Sequence, residues 1–237
     1  MYFTSSSKTV STIGRYQGFA IRPIRTAAEE PENAMVVNLG LSVKWANMNI
    51  GAENPEDYGD YFAWGETEGY NSGKTEFNWS TYAWCNGTAN TLTKYNTNSS
   101  NGATDSRTTL LSSDDAAFAN WGGSWRMPTK AEFDELLNNT TKVWTQVNGI
   151  NGWLLTSTKS GYTDKSIFLP AGGFRDESEI SEENTSLYYW SSTLYQTLSL
   201  TTSAYNLLHY SGYEETGYGN MGGHARASGM SVRAVCP

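Results

Sequence analysis

The chain has 237 residues, a formal net charge of −8 at pH 7 and few charged residues (17%), whereas aromatic residues reach 14% and glycine occurs 23 times. This length allows one large domain or two small ones, and the composition is typical of strands and loops rather than helices. The negative charge, without any cluster of Lys and Arg, excludes a nucleic-acid-binding surface and disfavours an anionic membrane. No apolar run is long enough to span a bilayer, so membrane insertion is excluded.

The first 26 residues contain a pattern that returns at the end of the chain. Arg15–Ile24 and Arg226–Val235 both begin with Arg-x-x-Gly and continue into an alternating strand that ends in Arg and a β-branched residue. The repeat predicts that residues 1–26 are the closing hairpin of a preceding copy of the same domain. Two alternatives stay open: the similarity is accidental, or the hairpin adds strands to the domain's own sheet or, by strand exchange, to that of a neighbour.

Residues 27–35 are predicted to be a short acidic linker with a proline, and residues 36–237 the main domain. The first strand is expected from Met35 to Trp45, with Gly40 at a bulge or turn. Asn, Ser, Thr, Gly and aromatic residues dominate residues 67–109, which predicts a long ordered loop region.

Two short helices are predicted in the middle of the chain. Ser113 is the expected N-cap of the first, which ends at Gly122. Thr129 and Glu132 form a capping box for the second, whose apolar stripe is Phe133, Leu136 and Leu137. Five strand candidates follow, with an acidic loop at residues 176–183; they are residues 153–158, 166–170, 188–193, 204–210 and 230–235. Two helices on a twisted antiparallel sheet with long loops make an α+β fold.

Six blocks of the sequence also carry a resemblance to a known family. The block Trp125–Phe133 resembles the signature helix of the Fibrobacter succinogenes major paralogous domain family, which is common in surface proteins of gut Bacteroidetes. Residues 37–46, 57–66, 166–171, 189–193 and 229–235 resemble its other blocks in the same order. The resemblance implies a C-type-lectin-like fold and core positions for four tryptophans, namely Trp45, Trp64, Trp125 and Trp190.

The same resemblance bears on location and on disulfides. It implies an extracellular or cell-surface protein, although Met1–Ser7 is polar and is not a signal peptide. The start is therefore expected to be internal to a longer chain with a tandem array of domains. Met48 and Thr140 stand where members of the family often carry cysteine, which puts a family disulfide between these places in doubt. Cys85 and Cys236 could pair in an oxidising compartment or stay apart.

The sequence contains no recognisable constellation for nucleophilic catalysis. His209 lies in a predicted strand and is interpreted as structural, whereas His224 lies in a Gly-rich loop and is interpreted as a surface contact. Block Arg126–Phe133 also resembles formylglycine-generating oxidases, which use a pair of neighbouring active-site cysteines. Here Cys85 is solitary and Cys236 is the penultimate residue, so that resemblance implies the fold without the activity. The chain is therefore expected not to be an enzyme.

Calcium is the metal to consider, because lectin-like domains often bind it through six to eight oxygens. Residues 53–60 and 176–179 are rich in carboxylates, but Glu53-Asn54-Pro55 has the wrong order for the sugar-binding Glu-Pro-Asn motif. Solvated acidic turns are the preferred interpretation. We expect no metal site and no cofactor.

Two aromatic stretches are the candidate recognition surfaces. Residues 210–224 have the Tyr, Ser, Gly and Asn content of antibody paratopes, and residues 78–84 form a second platform whose rings could stack on sugars. The expected function is non-enzymatic binding or adhesion to a glycan or a surface protein. A structural spacer or tip of an adhesin or pilus is the alternative, and an oxidase relative is a distant third. The predicted ligand-binding residues are Tyr210, Tyr213, Tyr218, Asn220, His224, Trp79, Tyr82 and Trp84.

Overall fold

A computed structural model describes residues 2–3, 8–9, 34–196, 201–212 and 220–237. These residues form antiparallel sheets with two short helices, an α+β architecture as predicted. The helices are α1 (Ala116–Trp121) and α2 (Lys130–Asn138). The strands are β1 (Tyr2–Phe3), β2 (Lys8–Thr9), β3 (Val36–Val37), β4 (Lys44–Asn49), β5 (Thr140–Val147), β6 (Ile150–Ser157), β7 (Ser166–Pro170), β8 (Phe174–Asp176), β9 (Glu179–Ser181), β10 (Ser186–Leu194), β11 (Ser203–Tyr210), β12 (Asn220–Ala225) and β13 (Arg233–Cys236).

The strands form three sheets of three strands and two separate hairpins. The sheet orders are β13-β4-β3, β5-β6-β7 and β10-β11-β12, and the hairpins are β1-β2 and β8-β9. Every pairing between these strands is antiparallel. No helix within the described residues is long and apolar enough to cross a membrane.

Helix α2 begins as the sequence predicts. The Thr129 hydroxyl accepts a hydrogen bond from Glu132 N (3.3 Å), and the Glu132 carboxylate accepts one from Thr129 N (2.8 Å), which completes the capping box. Both terminal guanidinium nitrogens of Arg126, Nη1 and Nη2, donate to the same carboxylate. The stripe of Phe133, Leu136 and Leu137 is buried in one apolar cluster with Trp45 and Leu155.

Two predicted element boundaries are wrong. Helix α1 is capped by Asp115, whose Oδ1 accepts from Phe118 N (3.0 Å), because Ser113 lies one turn earlier in a 3₁₀ turn. The strand predicted from Met35 to Trp45 is interrupted at Gly40, as expected, where φ is 72°, but its carboxyl end was misplaced. The strand resumes at Lys44 and continues to Asn49, beyond the predicted end.

The later part of the domain differs from the prediction in three further places. The acidic residues 176–183 form most of the β8–β9 hairpin instead of a plain loop. Strands β5 and β12 were not predicted at all. In contrast, residues 67–109 contain only two short 3₁₀ turns and isolated bridges, in agreement with the predicted loop region.

The core contains three clusters of buried apolar residues and two buried arginines. Trp45, Trp64, Trp125 and Trp190 are all buried, as expected. Arg233 donates to Asn49 Oδ1 (2.8 Å), Ala46 O (3.1 Å) and Phe168 O (2.8 Å), and thereby joins β13 to β4 and β7. Burial without an acidic partner lowers the pKa of Arg233 to about 10.

The predicted amino-terminal hairpin lies largely outside the described residues. Strands β1 and β2 are paired, but Arg15–Ile24 and residues 27–33 of the linker are not described. The last linker residue, Met35, is part of the domain, because its N–H donates to Asn47 Oδ1 (2.7 Å) and its carbonyl accepts from Asn47 N (3.0 Å).

Candidate functional site

The first predicted surface, residues 210–224, is described in part. Tyr213 and Tyr218 lie outside the described residues. Tyr210 is the last residue of β11 and is 41% exposed. Asn220 is exposed at the start of β12, which pairs with β11.

His224 lies in strand β12, so the prediction that it belongs to a loop is wrong. Its half-buried ring packs at 5.0 Å from Phe174, 5.8 Å from Tyr188 and 6.5 Å from Trp190, measured between ring centroids. Burial lowers the pKa of His224, although the nearby carboxylates of Asp176 and Glu182 oppose this shift. The ring therefore packs within the sheet rather than serving as an open surface contact.

The second predicted surface, residues 78–84, separates into a buried and an accessible part. Tyr82 is 2% exposed, and its hydroxyl donates to Trp64 O (2.7 Å). Trp79 is half-buried, with its ring edge-on to Tyr82 at 5.6 Å. Tyr82 therefore holds the loop to the core, and this placement does not support the predicted contact with a ligand.

Trp84 borders the cleft that we describe as the candidate site. Two adjoining depressions of about 430 and 320 Å³ share Glu66, Glu68 and Ala83. We call them together the Trp84 cleft; the other lining residues are Gly65, Thr67, Gly73, Lys74, Thr75, Glu76, Thr81, Trp84, Ser113 and Asp114.

The Trp84 ring is held in one orientation by three neighbours. Its indole N–H donates to Gly65 O (2.8 Å), and the ring of Tyr95 contacts it edge-on at 6.4 Å. The Lys94 ammonium lies 4.2 Å from the ring centroid, a cation–π contact. A Cβ at Gly65 would lie 3.1 Å from the indole nitrogen, so the glycine permits this close approach.

Asp114 holds Lys94 in position over the ring. Its carboxylate forms an ion pair with Lys94 and accepts hydrogen bonds from the hydroxyls of Tyr95 and Ser113. Burial alone would raise the pKa of Asp114, but these three donors lower it below its usual value. The carboxylate therefore stays ionised, and the ring, the cation and the anion form one preorganised unit.

The other half of the cleft is rich in carboxylates. Glu66 forms an ion pair with Lys74 (2.8 Å) and accepts from Ala83 N (2.7 Å), and Lys74 also donates to Thr81 O (3.1 Å). These bonds fix the loop that carries Trp84. Glu68 and Glu76 are exposed at the cleft, which therefore offers an aromatic ring beside several hydrogen-bond acceptors.

Two of the acidic residues considered in the sequence, Asp57 and Asp60, accept hydrogen bonds from nearby backbone groups. Asp57 Oδ2 accepts from Asn54 N (2.8 Å), and buried Asp60 accepts from Tyr61 N and Asn71 N, both at 2.8 Å. Within residues 34–196, 201–212 and 220–237, no group of His, Cys, Asp and Glu side chains is arranged to hold a metal ion. No disulfide joins Cys85 to Cys236.

Comparisons of the chain with models of known protein families, with curated proteins and with solved structures found no significant match.

Sequence reasoning identified Trp84 but missed most of the residues around it. Glu66 ends one of the family-like blocks, and Lys94 and Asp114 lie 20 positions apart in the chain. No local pattern links these residues, because the loop of residues 67–109 brings them together through tertiary contacts. The density of aromatic and polar residues in that loop was the available signal.

Proposed function

We propose that this chain is a non-enzymatic binding module of C-type-lectin-like type, displayed outside the cell, and that its Trp84 cleft binds a glycan. The main support for the proposal is that the Trp84 ring is held in one orientation at the edge of an open cleft lined by carboxylates. The resemblance to the Fibrobacter succinogenes major paralogous domain family supports the location and the fold. The repeat of the Arg15–Ile24 pattern in Arg226–Val235 supports an origin of residues 1–26 in a preceding copy of the domain.

Glycan recognition uses the two kinds of group that this cleft combines. The C–H face of a sugar ring packs on an aromatic ring, and its hydroxyls donate to carboxylate oxygens. Because Lys94, Tyr95 and Gly65 already hold Trp84, little side-chain entropy is lost when a ligand binds. The open shape suits an extended oligosaccharide, and the neutral, hydroxyl-rich surface of such a ligand tolerates the negative charge.

Three alternatives have weaker support. A spacer or tip module of an adhesin or pilus is supported by the burial of Tyr82 and the packing of His224, since both stabilise the domain. A protein ligand on the aromatic surface near Tyr210 is a second form of the binding hypothesis. An oxidase of formylglycine-generating type has the least support, because its chemistry needs two neighbouring cysteines.

A glycan array with the purified chain, with calcium and again with chelator, tests the proposal. We expect binding that is unaffected by chelator and at least about tenfold weaker in Trp84→Ala. Tyr210→Ala is the matched control, since it removes an exposed ring from the other predicted surface. If only Tyr210→Ala loses binding, the ligand binds at the surface near Tyr210 instead of the Trp84 cleft. Binding that requires calcium would indicate a metal site. An array without any hit would favour the spacer function.

A further inference from the structure

The charged side chains at the Trp84 cleft fall into two groups, those that pair with one another and those that are open to solvent. Lys74 and Glu66 pair at 2.8 Å, and their side chains are 10% and 9% exposed. Lys94 and Asp114 form the second pair, with side chains 19% and 6% exposed. Both lysines at the cleft therefore already have an anionic partner, and both pairs are largely closed to solvent.

Two further carboxylates line the cleft without a cation. Glu68 and Glu76 are exposed, and none of the ion pairs in the described part of the chain includes either of them. Four carboxylates and two ammonium groups surround the cleft, so its formal charge is negative. The uncompensated charges are also the exposed ones, and a ligand meets them first.

A neutral amide gathers negative charge at one end of the cleft. The side-chain nitrogen of Asn78 donates to Glu76 (3.4 Å) and also to Glu177, an exposed residue of the β8–β9 hairpin. An amide has no net charge, so it holds the two carboxylates near each other without neutralising them. The two carboxylates repel each other, and a ligand cation would relieve this repulsion.

We propose that the glycan bound by the Trp84 cleft contains an amino sugar whose amino group is free and protonated. This inference rests on the proposed glycan binding and adds the charge of the ligand. A neutral sugar only tolerates the negative cleft, whereas the ammonium group of an amino sugar donates charge-assisted hydrogen bonds to Glu68 or Glu76. Sugars with carboxylate or sulfate groups are repelled, because Lys74 and Lys94 are already paired.

The ring and the exposed carboxylates have different parts in this recognition. Trp84 and Glu68 line one depression, and Glu68 and Glu76 line the adjoining one. An oligosaccharide that occupies both depressions therefore contacts the ring and both carboxylates. Packing of the C–H face on Trp84 contributes affinity. Because ion pairs of exposed groups are weak, Glu68 and Glu76 mainly determine which sugar is preferred.

A glycan array that presents each amino sugar with a free amino group and as its N-acetylated form tests the inference with the full chain. The two forms share the sugar ring and its C–H face, whereas acetylation removes the charge. We expect the free-amine forms to bind about two- to fivefold more tightly, the effect of one or two exposed ion pairs. Oligosaccharides of uronic acids should bind more weakly than either form.

Two double variants assign the preference to the cleft. Glu68→Gln/Glu76→Gln should bring the ratio of the two affinities to about one, because Gln keeps an acceptor oxygen but has no charge. Glu53→Gln/Asp164→Asn is the matched control, since it removes two exposed carboxylates that do not line the cleft. This control should keep the ratio of the parent chain. Thermal unfolding confirms that both variants are folded, as expected for changes of exposed residues.

Three outcomes would overturn the inference. Equal binding of the two forms, still weakened in Trp84→Ala, would reject the amino sugar and leave the glycan function in place. A preference for free amines that persists in Glu68→Gln/Glu76→Gln would reject the role of these carboxylates. Binding of an oligolysine peptide without any glycan hit would overturn both proposals, as would an array without any hit.

Discussion

The ammonium group of Lys94 lies 4.2 Å from the centre of the Trp84 ring and pairs with the buried carboxylate of Asp114. Through Lys94, the buried Asp114 carboxylate therefore determines the orientation of the partly exposed Trp84 ring. Stability and the proposed glycan binding are therefore coupled at the Trp84 cleft, and a change at Asp114 should affect both.

Replacement of Asp114 by Asn should destabilise the domain by roughly 1.5–3 kcal/mol, because three donors lose a charged acceptor. Denaturant unfolding measures this change. Asp134→Asn is the matched control, since Asp134 forms a partly exposed i,i+4 pair with Lys130 whose loss should cost about 0.5 kcal/mol. If the two substitutions lower the free energy of unfolding equally, the charge of Asp114 does not stabilise the fold.

Even replacement of the buried Arg233 by lysine should destabilise the domain. Its guanidinium donates in three directions, to Asn49, Ala46 and Phe168, and an ammonium group on a flexible stem cannot reproduce this geometry. We expect Arg233→Lys to lower the free energy of unfolding by about 3 kcal/mol, because buried acceptors remain unsatisfied. Arg107→Lys, at a half-exposed pair with Asp105, should change it by less than about 0.5 kcal/mol.

Replacement of Gly229 by alanine should destabilise the domain. A Cβ there would lie 2.6 Å from the ring carbons of Phe77, and both backbone groups of Gly229 are bonded to Arg175. Gly229→Ala should therefore cost about 1–3 kcal/mol in thermal or denaturant unfolding. Gly222→Ala provides the contrast, since its Cβ would meet its nearest atoms at 3.7 and 3.8 Å, which is ordinary contact. A tolerated Gly229→Ala would contradict the packing seen around Phe77.

His224 should make the domain sensitive to mild acid. Its pKa in the folded chain lies below the ordinary value of 6.5 because the ring is buried, so the unfolded chain binds the proton more tightly. The stabilisation is complete above about pH 6.5 and is lost as the pH falls through the lowered pKa. We expect the free energy of unfolding to fall by up to about 1.4 kcal/mol per pH unit in this range.

Unfolding curves of the parent chain and of His224→Phe, measured between about pH 7.5 and 5, check this prediction. Phe keeps a ring against Phe174, Tyr188 and Trp190 but cannot bind a proton. The pH dependence of the variant should therefore be smaller over this interval. Parallel curves would assign the acid sensitivity to other groups.

Local signals predicted part of the fold well. The capping box of α2 and the limits of β7 depend on neighbouring residues or on a strong apolar pattern, whereas the burial of the four tryptophans was expected from the family resemblance. The β12 strand was missed because Gly222 and Gly223 give it no apolar alternation, and its pairing with β11 determines its conformation. The cap of α1 was misplaced by two residues, from Asp115 to Ser113. The Ser113 hydroxyl donates instead to Asp114, which also binds Lys94 and Tyr95 through tertiary contacts.

The sequence by itself determined the α+β class, the second helix, several strands and the aromatic content of residues 67–109. These properties depend on periodicity, capping and turn chemistry, which act over a few residues. Only the tertiary structure decided that Tyr82 is a core residue and Trp84 borders a cleft. Burial and position at a cleft depend on which distant segments pack together, and this long-range packing is not encoded in any local pattern.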